Sequence, residues 1–193
     1  MIILRDDLFP TRILLVDDLL KEEHISSIKE DILSSPKRQS HSKLQYEKPY
    51  KELVEKIYAV AQSYFDDMMW SVEDYQITDM WSNLLKPGES HSLHTHSNNI
   101  LSGVYYVKTN ETSTIQFYDP RPQTRILIPK AKLDNKENSQ TWFYPSFVNR
   151  LIMFPSWLEH DVPVTQEERI SISWNIMFKG KIGSSEKYQS AEF

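Results

Sequence analysis

The stretch RISISWNIMF (residues 169–178) alternates polar and apolar residues, and this pattern is the strongest indication of the fold. The polar set is Arg169, Ser171, Ser173 and Asn175, and the apolar set is Ile170, Ile172, Trp174 and Ile176. Because successive side chains of a β-strand point to opposite faces, we predict a strand whose apolar face packs under helices. Its polar face then looks into solvent or into a cavity wide enough for a small ligand.

Other segments after Trp70 are short and rich in β-branched and aromatic residues, as strands are. They are YQITDMWSNLL (75–85), ILSGVYYVK (100–108), STIQFYD (113–119), RILIP (125–129), TWFYP (141–145) and NRLIMFP (149–155). Pro, Gly and Asn between them, as in LKPGES (85–90), predict turns without intervening helices. We therefore predict a mostly β protein with helices (α+β), built as a two-sheet jelly roll.

The first third of the chain has helical spacing instead of alternation. Asp17 and Asp18 can cap a helix that runs to about Ser35, and residues 50–69 carry a second apolar stripe. Two amphipathic helices need a flat apolar surface to cover. We expect them to back the jelly roll.

The length of 193 residues suits one domain over residues 1–193 with a sizeable core. We expect helical support in 1–70, the jelly-roll core in 71–180 and a tail in 181–193. The net charge is -5 and the sequence has no basic run, so it gives no indication of a positively charged surface for binding nucleic acid or an anionic membrane. The sequence has no cysteine, so only His, Asp and Glu remain as metal ligands.

We find neither a signal peptide nor a stretch of membrane-spanning length, and we expect a soluble, cytoplasmic protein. A small molecule or a protein side chain is the expected substrate. An exposed edge strand would also permit a homodimer.

The stretch HSLHTHSNN (91–99) contains three of the six histidines. His94 and His96 are two apart, so in an extended chain both imidazoles project from one face, within reach of one metal ion. Surface histidines also occur in such pairs. His160 is the only later histidine and can supply a third ligand. His91 has the opposite parity to His94, which favours a second-layer or substrate-facing role.

Four blocks then resemble a family of 2-oxoglutarate/Fe(II) oxygenases of bacteria and phages. They are MWSNLLKPGESHSLHTHSNNILSGVYYV (80–107), IQFYDPR (115–121), LIMFPSWLEHDVPV (151–164) and EERISISWN (167–175). The resemblance covers the chain from about Thr78 to Ile176, and its SGVYYV and FPSWLxH blocks are the specific ones. It implies a double-stranded β-helix enzyme that hydroxylates a substrate while 2-oxoglutarate is decarboxylated to succinate.

The resemblance also implies roles for individual residues. His94 is the first Fe(II) ligand, His96 stands where the superfamily has Asp, and His160 is the distal ligand. Arg169, nine residues after His160, matches the arginine that binds the far carboxylate of 2-oxoglutarate. A guanidinium fork suits a carboxylate through paired hydrogen bonds.

Three further residues are candidates for binding the co-substrate. Ser171 shares the face of Arg169, Tyr106 matches the second tyrosine of a YY pair in prolyl-hydroxylase-like enzymes, and Asn83 lies on a strand that leads into the site. Buried Tyr and Asn more often serve only core hydrogen bonds. Arg121 can contact a substrate anion or simply pair with Asp119 in a turn.

Two alternatives stay open at this stage. An acid such as Glu89 or Asp161 can complete the metal shell in place of His96, since the usual facial triad has one carboxylate. A cupin-like metal-binding protein, or a three-histidine iron enzyme that does not use 2-oxoglutarate, would share the fold. Arg169 distinguishes a 2-oxoglutarate oxygenase from a cupin-like protein. In a protein that does not bind 2-oxoglutarate, Arg169 should pair with an acid such as Glu167 or Glu168.

Overall fold

The computed structural model describes residues 2–4 and 7–193. Its helices are α1 (Glu22–Ser34) and α2 (Lys51–Asp67). Its strands are β1 (Leu14–Val16), β2 (Asp74–Leu85), β3 (His91–His94), β4 (Leu101–Lys108), β5 (Thr114–Tyr118), β6 (Thr141–Pro145), β7 (Leu151–Pro155), β8 (His160–Val162), β9 (Arg169–Lys179), β10 (Lys181–Ser184) and β11 (Gln189–Glu192). None of the helices in these ranges is long and apolar enough to cross a membrane.

The strands form two facing sheets and a separate hairpin. The major sheet has the order β1-β7-β4-β9-β2, and the minor sheet has the order β3-β8-β5-β6. Every pairing of named strands is antiparallel among the residues described. The prediction of a mostly β fold with antiparallel sheets and a few helices is confirmed.

The two helices bury their apolar stripes on the major sheet. In α1 the buried residues Ile25, Ile28 and Ile32 recur every three or four positions, as one helix face requires. They share a hydrophobic core with Leu53 of α2 and with Trp174 of β9. The apolar face of β9 therefore packs under the helices, as predicted, and its polar face is left to look between the sheets.

The amino-terminal segment departs from the prediction. Helix α1 begins at Glu22 without a side-chain cap, and Asp17 instead binds Arg150 through two bonds of 2.6 and 2.7 Å. Asp18 has a φ of 52°, which interrupts any helix at that point. Residues 14–16 pair with β7, so the 1–70 region is not only helical.

The structure adds to or differs from the expectation for two other segments. RILIP (125–129) is not a strand, because Pro122–Arg125 forms a 3-10 turn and Ile126 and Leu127 are exposed, at 83% and 79%. An apolar run without an apolar surface to cover it gains nothing from extension. The tail expected in 181–193 is a paired hairpin, β10 with β11.

We predict that Gly103→Ala destabilises the protein by about 1–3 kcal/mol, the usual cost of overpacking a core. Gly103 lies on β4, and a Cβ there would overlap the Trp174 ring and sit 2.9 Å from the Ile152 carbonyl oxygen. Urea unfolding measures the loss. In a Trp174→Phe background the same substitution should cost less, because the smaller ring vacates that space; equal costs in both backgrounds would contradict the assignment.

Candidate metal and co-substrate site

A pocket lies between the sheets, where the polar face of β9 looks toward β3 and β8. Its polar lining consists of Gln39, Asn83, His91, His94, His96, His160, Arg169, Ser171 and Ser173. The pairing of β3 with β8 places His94 directly opposite His160. His96 lies in the loop after β3. Its backbone N–H donates to the Ser156 carbonyl at 2.9 Å, and this bond holds the loop in place. Sheet register therefore brings together residues that are far apart in sequence.

The three histidines His94, His96 and His160 form one cluster. Their ligand nitrogens all lie within 4.8 Å of one another, and Nε2 of His96 is 3.3 Å from Nε2 of His160. Two adjacent ligands with bonds of about 2.1 Å at right angles stand about 3.0 Å apart. The spacing therefore suits a single metal ion held on one side by three imidazoles.

Backbone carbonyls orient two of these rings. Nδ1 of His94 lies 2.7 Å from the Ser92 carbonyl, and Nδ1 of His160 lies 2.8 Å from the Leu158 carbonyl. A carbonyl can only accept, so each Nδ1 carries the proton and each Nε2 keeps its lone pair. This tautomer is the one in which Nε2 binds a metal.

His96 is oriented by a buried side-chain network. Ser102 donates to the Asn175 amide oxygen at 2.8 Å, and Ser156 lies 2.8 Å from Ser102. Burial and the nearby His94 lower the pKa of His96 to about 4, while a hydrogen bond with Asn175 opposes them. Because that bond raises the pKa of His96, Asn175 acts as its acceptor.

Burial keeps His96 and His160 uncharged near pH 7. It lowers the pKa of His160 to about 3, although a hydrogen bond to the Leu158 carbonyl opposes the change. A neutral imidazole is the form that binds a metal, so near pH 7 neither His96 nor His160 has to release a proton first.

Arg169 is almost completely buried, with 2% of its surface exposed. Its Nη1 donates to Ser171 Oγ at 3.0 Å, and its guanidinium lies 4.9 Å from the centre of the Tyr106 ring. No acid pairs with it among residues 2–4 and 7–193, since Glu168 binds Lys108 instead. Arg169 Nε and the Tyr106 hydroxyl are buried without a hydrogen-bond partner. A buried cation with free donors requires an anion.

These observations test whether Fe(II) and 2-oxoglutarate fit the pocket. The three imidazoles supply a neutral nitrogen donor set of the kind that iron accepts. Arg169 supplies an unused Nε donor for a carboxylate in the same pocket, whereas Tyr106, whose ring lies against the guanidinium, is not among the described residues that line it. Both groups therefore match the residues present.

The remaining candidates fall into different places. Ser171 contacts Arg169 and lines the pocket. Asn83 also lines it, but its amide is occupied by Gln39 at 3.1 Å and Ser173 at 3.0 Å, as in a structural core bond. Arg121 lies outside this pocket and forms a bidentate pair with Asp119.

No carboxylate joins the histidine cluster in the described part of the chain. Glu89 accepts from the Lys86 backbone and faces Arg38, at 2.7 and 3.5 Å. Asp161 accepts from the Tyr118 hydroxyl at 2.7 Å. The alternative in which one of these acids replaces His96 is therefore not supported by their positions.

The parity argument for His91 was wrong. In the pairing of β3 with β8, His91 lies opposite Val162 and His94 lies opposite His160. The two paired positions are three residues apart on β3 but only two apart on β8, so β3 bulges between the two histidines. A bulge shifts the alternation by one residue, and His91 lines the same pocket as His94.

Sequence reasoning also missed residues that contact the site. Trp81 stacks on His96, with ring centres 5.9 Å apart, and Asn175 supports the same imidazole. Alternation had placed Asn175 on the face of Arg169, but no feature of the sequence linked it to His96.

Solved structures share this architecture. A Pseudomonas putida prolyl-4-hydroxylase is 11% identical with a TM-score of 0.63, over 90% of this chain and 92% of that one. A viral collagen prolyl hydroxylase from Paramecium Bursaria Chlorella virus-1, in a 2-oxoglutarate complex, is 14% identical with a TM-score of 0.57, over 85% of this chain and 94% of that one. HygX from Streptomyces hygroscopicus, with nickel and 2-oxoglutarate bound, is 9% identical with a TM-score of 0.61, over 86% of this chain and 82% of that one. The fold is thus the double-stranded β-helix of 2-oxoglutarate oxygenases.

The sequence itself identifies the family. The model of the family described as "Putative 2OG-Fe(II) oxygenase" matches residues 79–175, slightly more than half of the chain, and the chain belongs to this family. No curated protein matches it in sequence. Because the match spans β3, β8 and most of β9, it includes all three clustered histidines and Arg169. The family resemblance seen in the sequence is confirmed.

We predict that Asn175→Leu weakens metal binding about 10- to 100-fold, because His96 loses the acceptor that fixes its ring. Competition between Co(II) and a fluorescent chelator measures the affinity. Ser173→Ala is the matched control, since its hydroxyl lies on the same strand but bonds Asn83. Equal affinities for the two variants would show that Asn175 does not orient the ligand.

We predict that the metal-free protein loses stability as the pH falls from about 7 to 4. Burial first of all lowers the pKa values of His91, His96 and His160 from 6.5 to about 4, 4 and 3. The unfolded chain thus binds more protons across this window, and protons favour unfolding there. Urea midpoints at pH 7.5 and 5.0 measure the effect. A His160→Gln variant should show a smaller difference; identical midpoints in the parent protein would refute the assignment.

Proposed function

We propose that this enzyme is an Fe(II)- and 2-oxoglutarate-dependent hydroxylase in which His94, His96 and His160 hold the iron and Arg169 binds the co-substrate. One observation carries the proposal: an almost completely buried arginine, which has no acidic partner among the described residues, lines the same pocket as three converging imidazoles. A cupin-like binding protein has no need for this unpaired cation. Iron, 2-oxoglutarate and O2 would together supply the oxidising chemistry: one oxygen atom of O2 goes into the substrate C–H bond, and the other into the succinate formed from 2-oxoglutarate as carbon dioxide leaves.

The protein's contribution is to bind and orient. Arg169 presents a planar fork to the far carboxylate, Ser171 accepts from one of its nitrogens, and the ring of Tyr106, the other co-substrate candidate, lies against the guanidinium. Asn83 has a supporting place, because its amide already bonds Gln39 and Ser173. Apolar side chains such as Phe154 and Val104 line the other side of the pocket and exclude water from it.

The substrate is a small molecule or a protein side chain. Prolyl hydroxylases and HygX share the fold, but at identities of 9–14% they support no closer assignment. A cytoplasmic location, a homodimer and the organisation as one domain with a jelly-roll core stay predictions from the sequence.

The test is anaerobic titration of the Fe(II)-loaded protein with 2-oxoglutarate. Chelation of Fe(II) by a keto acid should give a visible charge-transfer band. Arg169→Ala should weaken 2-oxoglutarate binding about 10- to 100-fold, the loss of charge-assisted bonds worth about 1.5–3 kcal/mol. His160→Ala should remove the band because the metal ligand is lost.

Arg121→Ala is the control, since Arg121 pairs with Asp119 on the surface. It should leave the band and the affinity unchanged. Tight Fe(II) binding without any 2-oxoglutarate-dependent band would instead support the cupin-like or three-histidine alternative.

A further inference from the structure

His91 lines the pocket without belonging to the metal cluster. It pairs with Val162 on β8, and the bulge that follows turns both His91 and His94 inward. The group whose ligand atoms converge in the described residues contains His94, His96 and His160 but not His91. His91 therefore has a place in the pocket and no role at the metal.

The Nε2 atom of His91 is buried and makes no hydrogen bond in the described structure. A buried polar atom without a partner costs free energy, so such atoms are rare unless a ligand supplies the partner. Backbone carbonyls satisfy Nδ1 of His94 and of His160, whereas no such carbonyl reaches Nε2 of His91. The unpartnered Nε2 of His91 thus marks a position at which a ligand can bind.

The charged surroundings of His91 indicate which partner fits. Burial above all disfavours a charged imidazole at His91, and Arg169 and Arg38 add to this effect, while Glu89, which favours the charged form, already faces Arg38. His91 is therefore neutral. In the tautomer that has its single proton on Nε2, this nitrogen is a hydrogen-bond donor that adds no positive charge beside Arg169. Arg169 Nε is also buried and unpartnered in the same pocket. One anion with two oxygens can satisfy both donors.

We infer that His91 is a second anchor for the far carboxylate of 2-oxoglutarate, to which it donates from Nε2 beside Arg169. This inference rests on the proposed function. A neutral donor complements the arginine because it adds a hydrogen bond without repelling the cation. His91 thereby favours a keto acid with a distal carboxylate over one that ends in a methyl group.

The test compares two keto acids that differ only at the far end. 2-Oxoglutarate has the distal carboxylate, and 2-oxopentanoate has a methyl group in its place. Calorimetry on the Ni(II)-loaded protein measures binding without turnover. His91→Leu should lower the affinity for 2-oxoglutarate about tenfold and leave that for 2-oxopentanoate unchanged, since only the former loses a charge-assisted bond.

Two further variants sharpen the result. His91→Gln keeps an N–H donor of similar reach and should recover most of the affinity for 2-oxoglutarate. Ni(II) affinity should be unchanged in His91→Leu and strongly reduced in His94→Leu, which separates the anchor from the metal ligands.

Equal losses for the two keto acids would overturn the inference, because His91 would then act on the chelating end or on the pocket as a whole. An unchanged affinity for 2-oxoglutarate in His91→Leu would overturn it as well. If the parent protein binds neither keto acid, the proposed function itself fails. That outcome is visible before any variant is made.

Discussion

The burial of the Arg169 cation between the two sheets is the constraint on which the site depends. A guanidinium removed from water is stable only when its charge and its N–H groups find partners. Here a serine hydroxyl and the face of a tyrosine ring provide part of that environment, and no carboxylate completes it among the described residues. In the proposed function a dianionic keto acid supplies the missing partners. The proposal therefore couples binding of the co-substrate to the stability of the pocket.

The outer layers make this burial possible. Helices α1 and α2 cover the apolar face of the major sheet, so β9 can direct Ile172 and Trp174 outward into a core. Its alternate residues then point inward, where polar side chains are tolerated only if they bond one another or a ligand. Ser173 bonds Asn83, and Asn175 bonds Ser102. Arg169 lies at the start of the strand and is the member of this row left for a ligand.

Alternation along residues 169–178 was sufficient to predict both faces of β9, because a two-residue period leaves no ambiguity once one face is apolar. The clustering of His94, His96 and His160 also followed from the sequence, through spacing and family resemblance. Features that depend on partners in space did not. The bulge between His91 and His94 depends on pairing with β8, and Asp17 leaves the expected helix cap because Arg150, 133 residues away, binds it more strongly. RILIP failed for the same reason, since its apolar residues have no core to join.

The histidine at position 96 changes the charge balance of the proposed site. With the usual carboxylate ligand, Fe(II), the arginine and a dianionic keto acid sum to zero; with a neutral imidazole they leave one positive charge. With this ligand set, the proposed site would attract the anionic co-substrate more strongly and would hold the metal without a negative protein ligand. A neutral ligand must also be oriented by its other nitrogen, a need that a carboxylate with two equivalent oxygens does not have. The buried chain from Ser156 through Ser102 to Asn175 meets this need, and replacing His96 by an acid would leave Asn175 facing another acceptor. The ligand and its supporting network are therefore matched as a unit.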